Sequence, residues 1–189
     1  MQRGQAEALF PLIEEVLEAA GWRWDMLDAI GVGVGPGNFT GIRISVAAAR
    51  GLRLSLRIPV FGFSTFTVAA TDETGPDRLL LSLPAPRDMA YVQVFDGLVA
   101  REDPCLIDPS APPRDLGADR VVGFRGAEIG AALGIPGADE VFPPKPAVLA
   151  ELTEEAYLTA DADPPRPAPL YIRPPDAAPS RVVPPVILP

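Results

Sequence analysis

Apolar residues along the first twenty positions recur at helical spacing. Ala6, Leu9, Phe10, Ile13, Val16, Leu17 and Ala20 fall on one side, and Glu7, Glu14, Glu15 and Glu18 lie mainly on the other. The pattern predicts an amphipathic helix over Ala6–Ala20, closed by Gly21 at its C′ position. Pro11 lies inside it and removes one backbone donor, so a local kink is expected. The acidic side reads as a solvated or a docking face. After Trp22–Asp28 the period changes. Ala29–Val34 reads as a buried strand, Gly35-Pro36-Gly37 as a sharp break, and Gly41 to Ser55 as a second helix with Thr40 at its N-cap. Alternate glycines at 31 and 33 strip one strand face of side chains, so another backbone can approach closely. Ile44, Ala48, Gly51 and Ser55, with Ala47 beside them, form a small-residue stripe on the second helix. That stripe fits close packing on the helix Ala6–Ala20, or a bundle shared with a partner.

The pattern continues with a strand at Ile58–Gly62 and a short helix from Ser64 to Ala70. Asp72–Asp77 forms a turn-rich hinge. Helix–strand–helix–strand–helix implies a parallel strand pair. A boundary at about residue 75 divides the chain into 1–75 and 76–189. The second half predicts strands at Arg78–Leu83 and Met89–Phe95. An Asp96-Gly97 hairpin signal leads into Leu98–Ala100. Pro104–Gly117 reads as irregular, Arg120–Gly123 as a strand, and Ala127–Leu133 as a helix ended by Gly134. Pro146 suits the first turn of a helix over Ala147–Ala160 whose apolar face carries Val148, Leu149, Leu152 and Ala156. Asp161–Pro189 holds ten of the 24 prolines and is expected to be extended. Leu170–Arg173 is its one docking segment, and VVPPVILP at the end reads as loose or bound to a neighbour.

Composition narrows the chemistry. The 189 residues contain no histidine, which removes Ser-His-Asp and Cys-His catalysis and every histidine metal site. The single cysteine, Cys105, cannot form an intramolecular disulfide and reads as a small buried hydrophobe. A reduced cytoplasmic setting fits, and no signal peptide or membrane span is legible. The net charge of −9 lacks the basic footprint of an autonomous nucleic-acid binder, and the 15 arginines look scattered against one lysine, Lys145.

The turn after the first strand leads into a helix N-terminus, where a phosphate or carboxylate can be held. The P-loop pattern fails for want of a lysine. The G-x-G-x-x-G pattern fails because Asn38 stands where the third glycine belongs. A purely structural turn and a phosphate-touching turn both remain open. The word GPGNFTGIRI is more specific than either template. It closely resembles the signature GPGSFTGLRIG of the TsaB (YeaZ) family, whose members take part in making N6-threonylcarbamoyladenosine in tRNA. The likeness extends through Ala47–Gly51 and Ile58–Ser64, and returns at Pro169–Ser180. The N-terminal helix resembles the family's first long helix, with Gln5 where histidine is usual. Pro84–Asp88 departs from the family's Asp-Ala-Arg sequence, which puts any role of that loop in doubt.

The resemblance implies the two-halved α/β fold of the actin, sugar kinase and Hsp70 ATPase (ASKHA) group. The family's opening strands are absent from this chain, which implies an exposed apolar sheet edge, reduced stability and a tendency to associate. It also implies a non-catalytic role. Such proteins pair with a TsaD-type transferase that modifies adenosine 37 of tRNA, and a TsaE-type ATPase joins them; contact with tRNA is only indirect, and no cofactor is implied. Pairing, or a homodimer, is implied through the first two long helices. The interface candidates are Leu9, Ile13, Leu17, Ala47, Ala48, Gly51 and Ser55. The signature turn Gly35, Pro36, Gly37, Asn38, Phe39, Thr40, Gly41 and Arg43 is the candidate for a phosphate contact, with Arg43 orienting the turn, reaching a nucleotide or lying on the surface. A second function class is a small-molecule kinase using Gly35–Asn38 as its phosphate loop, although the acidic strand motif of such enzymes is missing. A peptidase, an old label for this superfamily, finds neither a histidine centre nor a Ser-Lys pair.

Overall fold

The computed structural model describes residues 4–73, 75, 77–160 and 163–172. The elements run α1 Gln5–Ala19, β1 Ile30–Gly35, α2 Phe39–Leu56, β2 Val60–Ser64, α3 Thr65–Ala70, β3 Leu79–Pro84, β4 Ala90–Asp96, β5 Val99–Ala100, β6 Cys105–Ile107, β7 Arg120–Gly123, α4 Gly126–Leu133, β8 Gly137–Asp139 and α5 Pro146–Thr159. Strands β1 and β2 form a parallel two-stranded sheet. The other six form a mixed sheet of order β5-β4-β3-β7-β8, with β6 also on β4. Strand β3 is antiparallel to β4 and parallel to β7. The C-terminal stretch VVPPVILP lies outside the described residues.

Burial explains the layout. Leu79 to Leu83 of β3 are all buried, as suits a central strand covered on both faces. Leu79, Leu81 and Leu83 pack against Phe66, Ala69 and Ala70 of α3, while Leu80 packs on the other face with Val92, Val121 and Ile129. A smaller core joins the first half: Val32 and Val60 of the sheet against Val46 and Ala49 of α2. At the hinge after α3, Arg120 Nη1 donates to Glu73 Oε2 at 2.6 Å with side-chain exposures of 23% and 14%. Lys145 pairs with Asp72 beside it. Two adjacent acidic residues thus fasten α3 to the second half.

Several expectations need correction. Thr40 is not the cap of α2. The Asn38 side chain accepts from Gly41 N–H at 3.0 Å, so the helix starts at Phe39. The segment Pro104–Gly117 is not wholly irregular, because β6 pairs Cys105–Ile107 with Val92–Ala90. Cys105 is exposed, because only Ile107 of that three-residue edge strand turns fully inward. Partial desolvation and the negative Glu102 push its thiol pKa up, away from nucleophilic character. Helix α1 ends as expected: Trp22 N–H donates to Leu17 O at 2.8 Å with Gly21 left-handed, and the helix runs on through Pro11.

The hairpin loop of β3 and β4 closes through Ala85 N–H to Met89 O at 2.9 Å. Inside it Arg87 and Asp88 both have positive φ, 62° and 56°. Arg125 Nη1 donates to the Asp88 carbonyl at 3.0 Å, a contact that needs no side chain at 88. Asp88→Gly is therefore expected to stabilise the chain by about 1 kcal/mol by removing left-handed strain. That raises the unfolding temperature by roughly 2–4 °C in calorimetry. An unchanged or lower temperature counts against the strain.

Candidate functional site

The signature turn is built around Gly35, whose φ of +101° favours glycine. A Cβ there would lie 2.7 Å from Ile42 Cδ1. The Gly35–Pro36 peptide is cis, and Thr65 Oγ1 donates to Pro36 O at 2.8 Å. That bond joins the turn to the start of α3. Asn38 then takes the Gly41 amide, one of the helix N-terminal donors that a phosphate would need. Gly37, Asn38, Phe39 and Thr40 are exposed and Gly41 is half-buried, while Gly35 and Pro36 are buried.

Arg43 bridges Phe39 of the turn and Tyr171. Its Nε donates to Tyr171 Oη at 3.0 Å. Its guanidinium carbon lies 3.7 Å from the Phe39 ring centroid, a cation–π distance, and 5.7 Å from that of Tyr171. The Phe39 and Tyr171 centroids are 5.8 Å apart. The two separate sequence words, GPGNFTGIRI and PLYI, thus meet in space. Ten residues along α2, Arg53 repeats the device: it pairs with Asp163 and donates to Pro164 O at 2.9 Å. Segment 163–172 therefore runs antiparallel to α2, clamped by an arginine at each end. Between the clamps the β1–β2 register shifts at Gly33/Gly35, and the Val34 carbonyl accepts from Leu170 N–H at 2.9 Å. The arginines looked scattered in sequence, yet two of them hold this segment.

The two long helices carry the remaining candidates. Leu9, Ile13 and Leu17 are half-buried and form one stripe of α1. On α2, Ala48 is half-buried, while Ala47, Gly51 and Ser55 are exposed. A Cβ at Gly51 would meet nothing within 4 Å, so intrachain packing on α1 does not use that end of the stripe. No residue of α1 is fully buried, and Phe10, Leu12 and Val16 are exposed, as is Leu54 of α2 at 74%. Charge is divided as well. The only charged residues of α1 are Glu7, Glu14, Glu15 and Glu18, and those of α2 are Arg43, Arg50 and Arg53. Among the described residues, no helix is long and apolar enough to cross a membrane.

Comparison with known proteins identifies what this architecture is similar to. A family model described as TsaD: tRNA N6-adenosine threonylcarbamoyltransferase matches residues 1–101. The tRNA threonylcarbamoyladenosine biosynthesis protein TsaB of Escherichia coli is 30% identical over 92 residues, which cover 47% of this chain and 40% of that one. The chain thus spans less than half the length of the curated TsaB relatives it matches. The uncharacterized protein Rv3421c of Mycobacterium tuberculosis is 32% identical over 186 residues, 95% of this chain and 80% of its own. The structure of a Pseudomonas aeruginosa protein with similarity to peptidase YEAZ superposes with a TM-score of 0.68 at 26% identity, covering 90% of this chain and 85% of that one. A second structure, YeaZ from Pseudomonas aeruginosa, gives 0.61 at 25%. With the mixed α/β fold of the actin-like ATPase type, the GPGNFTGIRI turn and these relatives, the chain belongs to the TsaB/YeaZ family.

Proposed function

We propose that this chain acts in tRNA threonylcarbamoyladenosine biosynthesis as a non-catalytic scaffold that pairs with and activates a TsaD-type transferase. The observation that carries the reading is the outer face of α1 and α2. It leaves Leu12, Val16 and Leu54 in solvent and Gly51 without a neighbour. Such a face has apolar area to bury and a glycine where a partner helix can approach closely. The chain's own groups favour scaffolding over chemistry. It has no histidine, and Arg43 is committed to Tyr171 and Phe39. The net charge of −9 leaves contact with tRNA to the transferase. A TsaE-type ATPase joins the pair, and a homodimer through the same helices competes with it.

Reconstitution tests this. Threonylcarbamoyl transfer to tRNA is measured with the transferase and ATPase, with and without this chain. The expected result is stimulation of at least about tenfold, with no ATP hydrolysis by the chain alone. Stimulation that is absent, combined with ATP hydrolysis by the chain alone, would instead favour a small-molecule kinase of the same fold group. Against that reading stands the Asn38 side chain, which already occupies the Gly41 amide.

A further inference from the structure

A cavity of about 400 Å³ opens between the two halves, at the C-terminal ends of β1 and β2. Its lining includes Gly33, Phe63, Val68, Phe142, Lys145 and Leu149. Three prolines, at 143, 144 and 146, restrict the backbone of one wall. Gly33 has no neighbour within 4 Å of where a Cβ would stand, so a side chain there would project into open space.

The polar side chains on the wall are all committed to the protein. Ser64 Oγ accepts from Thr67 N–H at 2.9 Å and bonds Thr67 Oγ1 at 2.8 Å. Thr65 Oγ1 donates to Pro36 O. Lys145 is paired with Asp72. An anionic ligand would have to compete for that lysine beside a carboxylate. The remaining walls are aromatic and aliphatic. Cavities of about 150 Å³ lined by such groups hold benzene, so this one has room for two fused rings.

We propose that the cavity binds a neutral, largely apolar molecule of about naphthalene size. This is independent of the helix face argued above, and it assigns the interior between the halves to a ligand of its own.

The probes are 1-naphthol and 1-naphthoate, titrated into the full chain by calorimetry. The Val68 and Leu149 methyl resonances are followed in parallel. Neutral 1-naphthol is expected to bind at least about tenfold tighter than the carboxylate and to shift both methyls. Gly33→Leu fills the space and is expected to weaken naphthol binding by a similar factor. If that variant does not fold, the wild-type methyl shifts decide instead. Equal affinity for the two probes, binding unaffected by a folded Gly33→Leu, or unmoved methyls would each overturn the proposal.

Discussion

Gly51→Leu is expected to weaken pairing with the TsaD-type transferase by roughly a hundredfold while making the isolated chain slightly more stable. The two effects have separate causes. Within the chain, the added side chain enters open space, since a Cβ at 51 meets nothing within 4 Å. It also replaces glycine inside the long helix α2, a change that favours the helix by about 0.8 kcal/mol. In the proposed complex the same side chain stands where the partner helix must approach. Overpacking at such a contact costs about 3 kcal/mol, or roughly a hundredfold in affinity. Calorimetry of the chain and titration of the complex read the two effects separately. A lower unfolding temperature would mean that Gly51 packs inside this chain. Unchanged affinity would remove it from the interface.

The largest loss of stability is expected from Gly31→Ala. Helix α5 belongs to the second half but rests against β1 of the first. At Gly31 the approach is closest: a Cβ would stand 2.0 Å from Thr153 Oγ1, 3.2 Å from Thr153 Cβ and 3.3 Å from the Leu149 carbonyl. Thr153 cannot swing away freely. It is 7% exposed, and its hydroxyl donates to Leu149 O at 2.6 Å. Alanine at 31 is therefore expected to cost about 3 kcal/mol in urea denaturation. Thr153→Ala removes the hydroxyl oxygen, the nearest atom, but leaves the Cβ and carbonyl contacts. On its own it costs little, because the lost bond is a helix hydroxyl to its i−4 carbonyl. The double variant is expected to recover about half of the Gly31→Ala loss, a favourable coupling of about 1.5 kcal/mol. Strict additivity would show that α5 does not sit on Gly31.

Much of this framework was legible in the chain because its signals are local. The stretch Ala29–Ser55 shows a glycine-alternating strand, a glycine-proline break and an apolar helix. Each appears within two residues of its expected bounds. Ser64 caps α3 and Pro146 opens α5 as turn chemistry requires. The alternate glycines correctly signalled a close approach at Gly31, whereas Gly33 turned out to face a cavity. The failures have physical causes. Asn38 and Thr40 are both competent caps, and only the path of the Gly35–Pro36 turn selects between them. Strands β6 and β8 have three residues each, too few for a period, and exist because β4 and β7 offer partners. The Arg43–Tyr171 bond spans 128 residues, so nothing near Arg43 announces it. The exposure of α1 also escaped the pattern, which shows an apolar face without showing what covers it.

The central claim is that the α1–α2 face binds a TsaD-type transferase. Size-exclusion chromatography with light scattering on a mixture of the two proteins tests it most directly. The expected result is a complex of one copy of each, formed at the expense of any homodimer and weakened by Gly51→Leu. Two separate peaks at the masses of the unmixed proteins would contradict it.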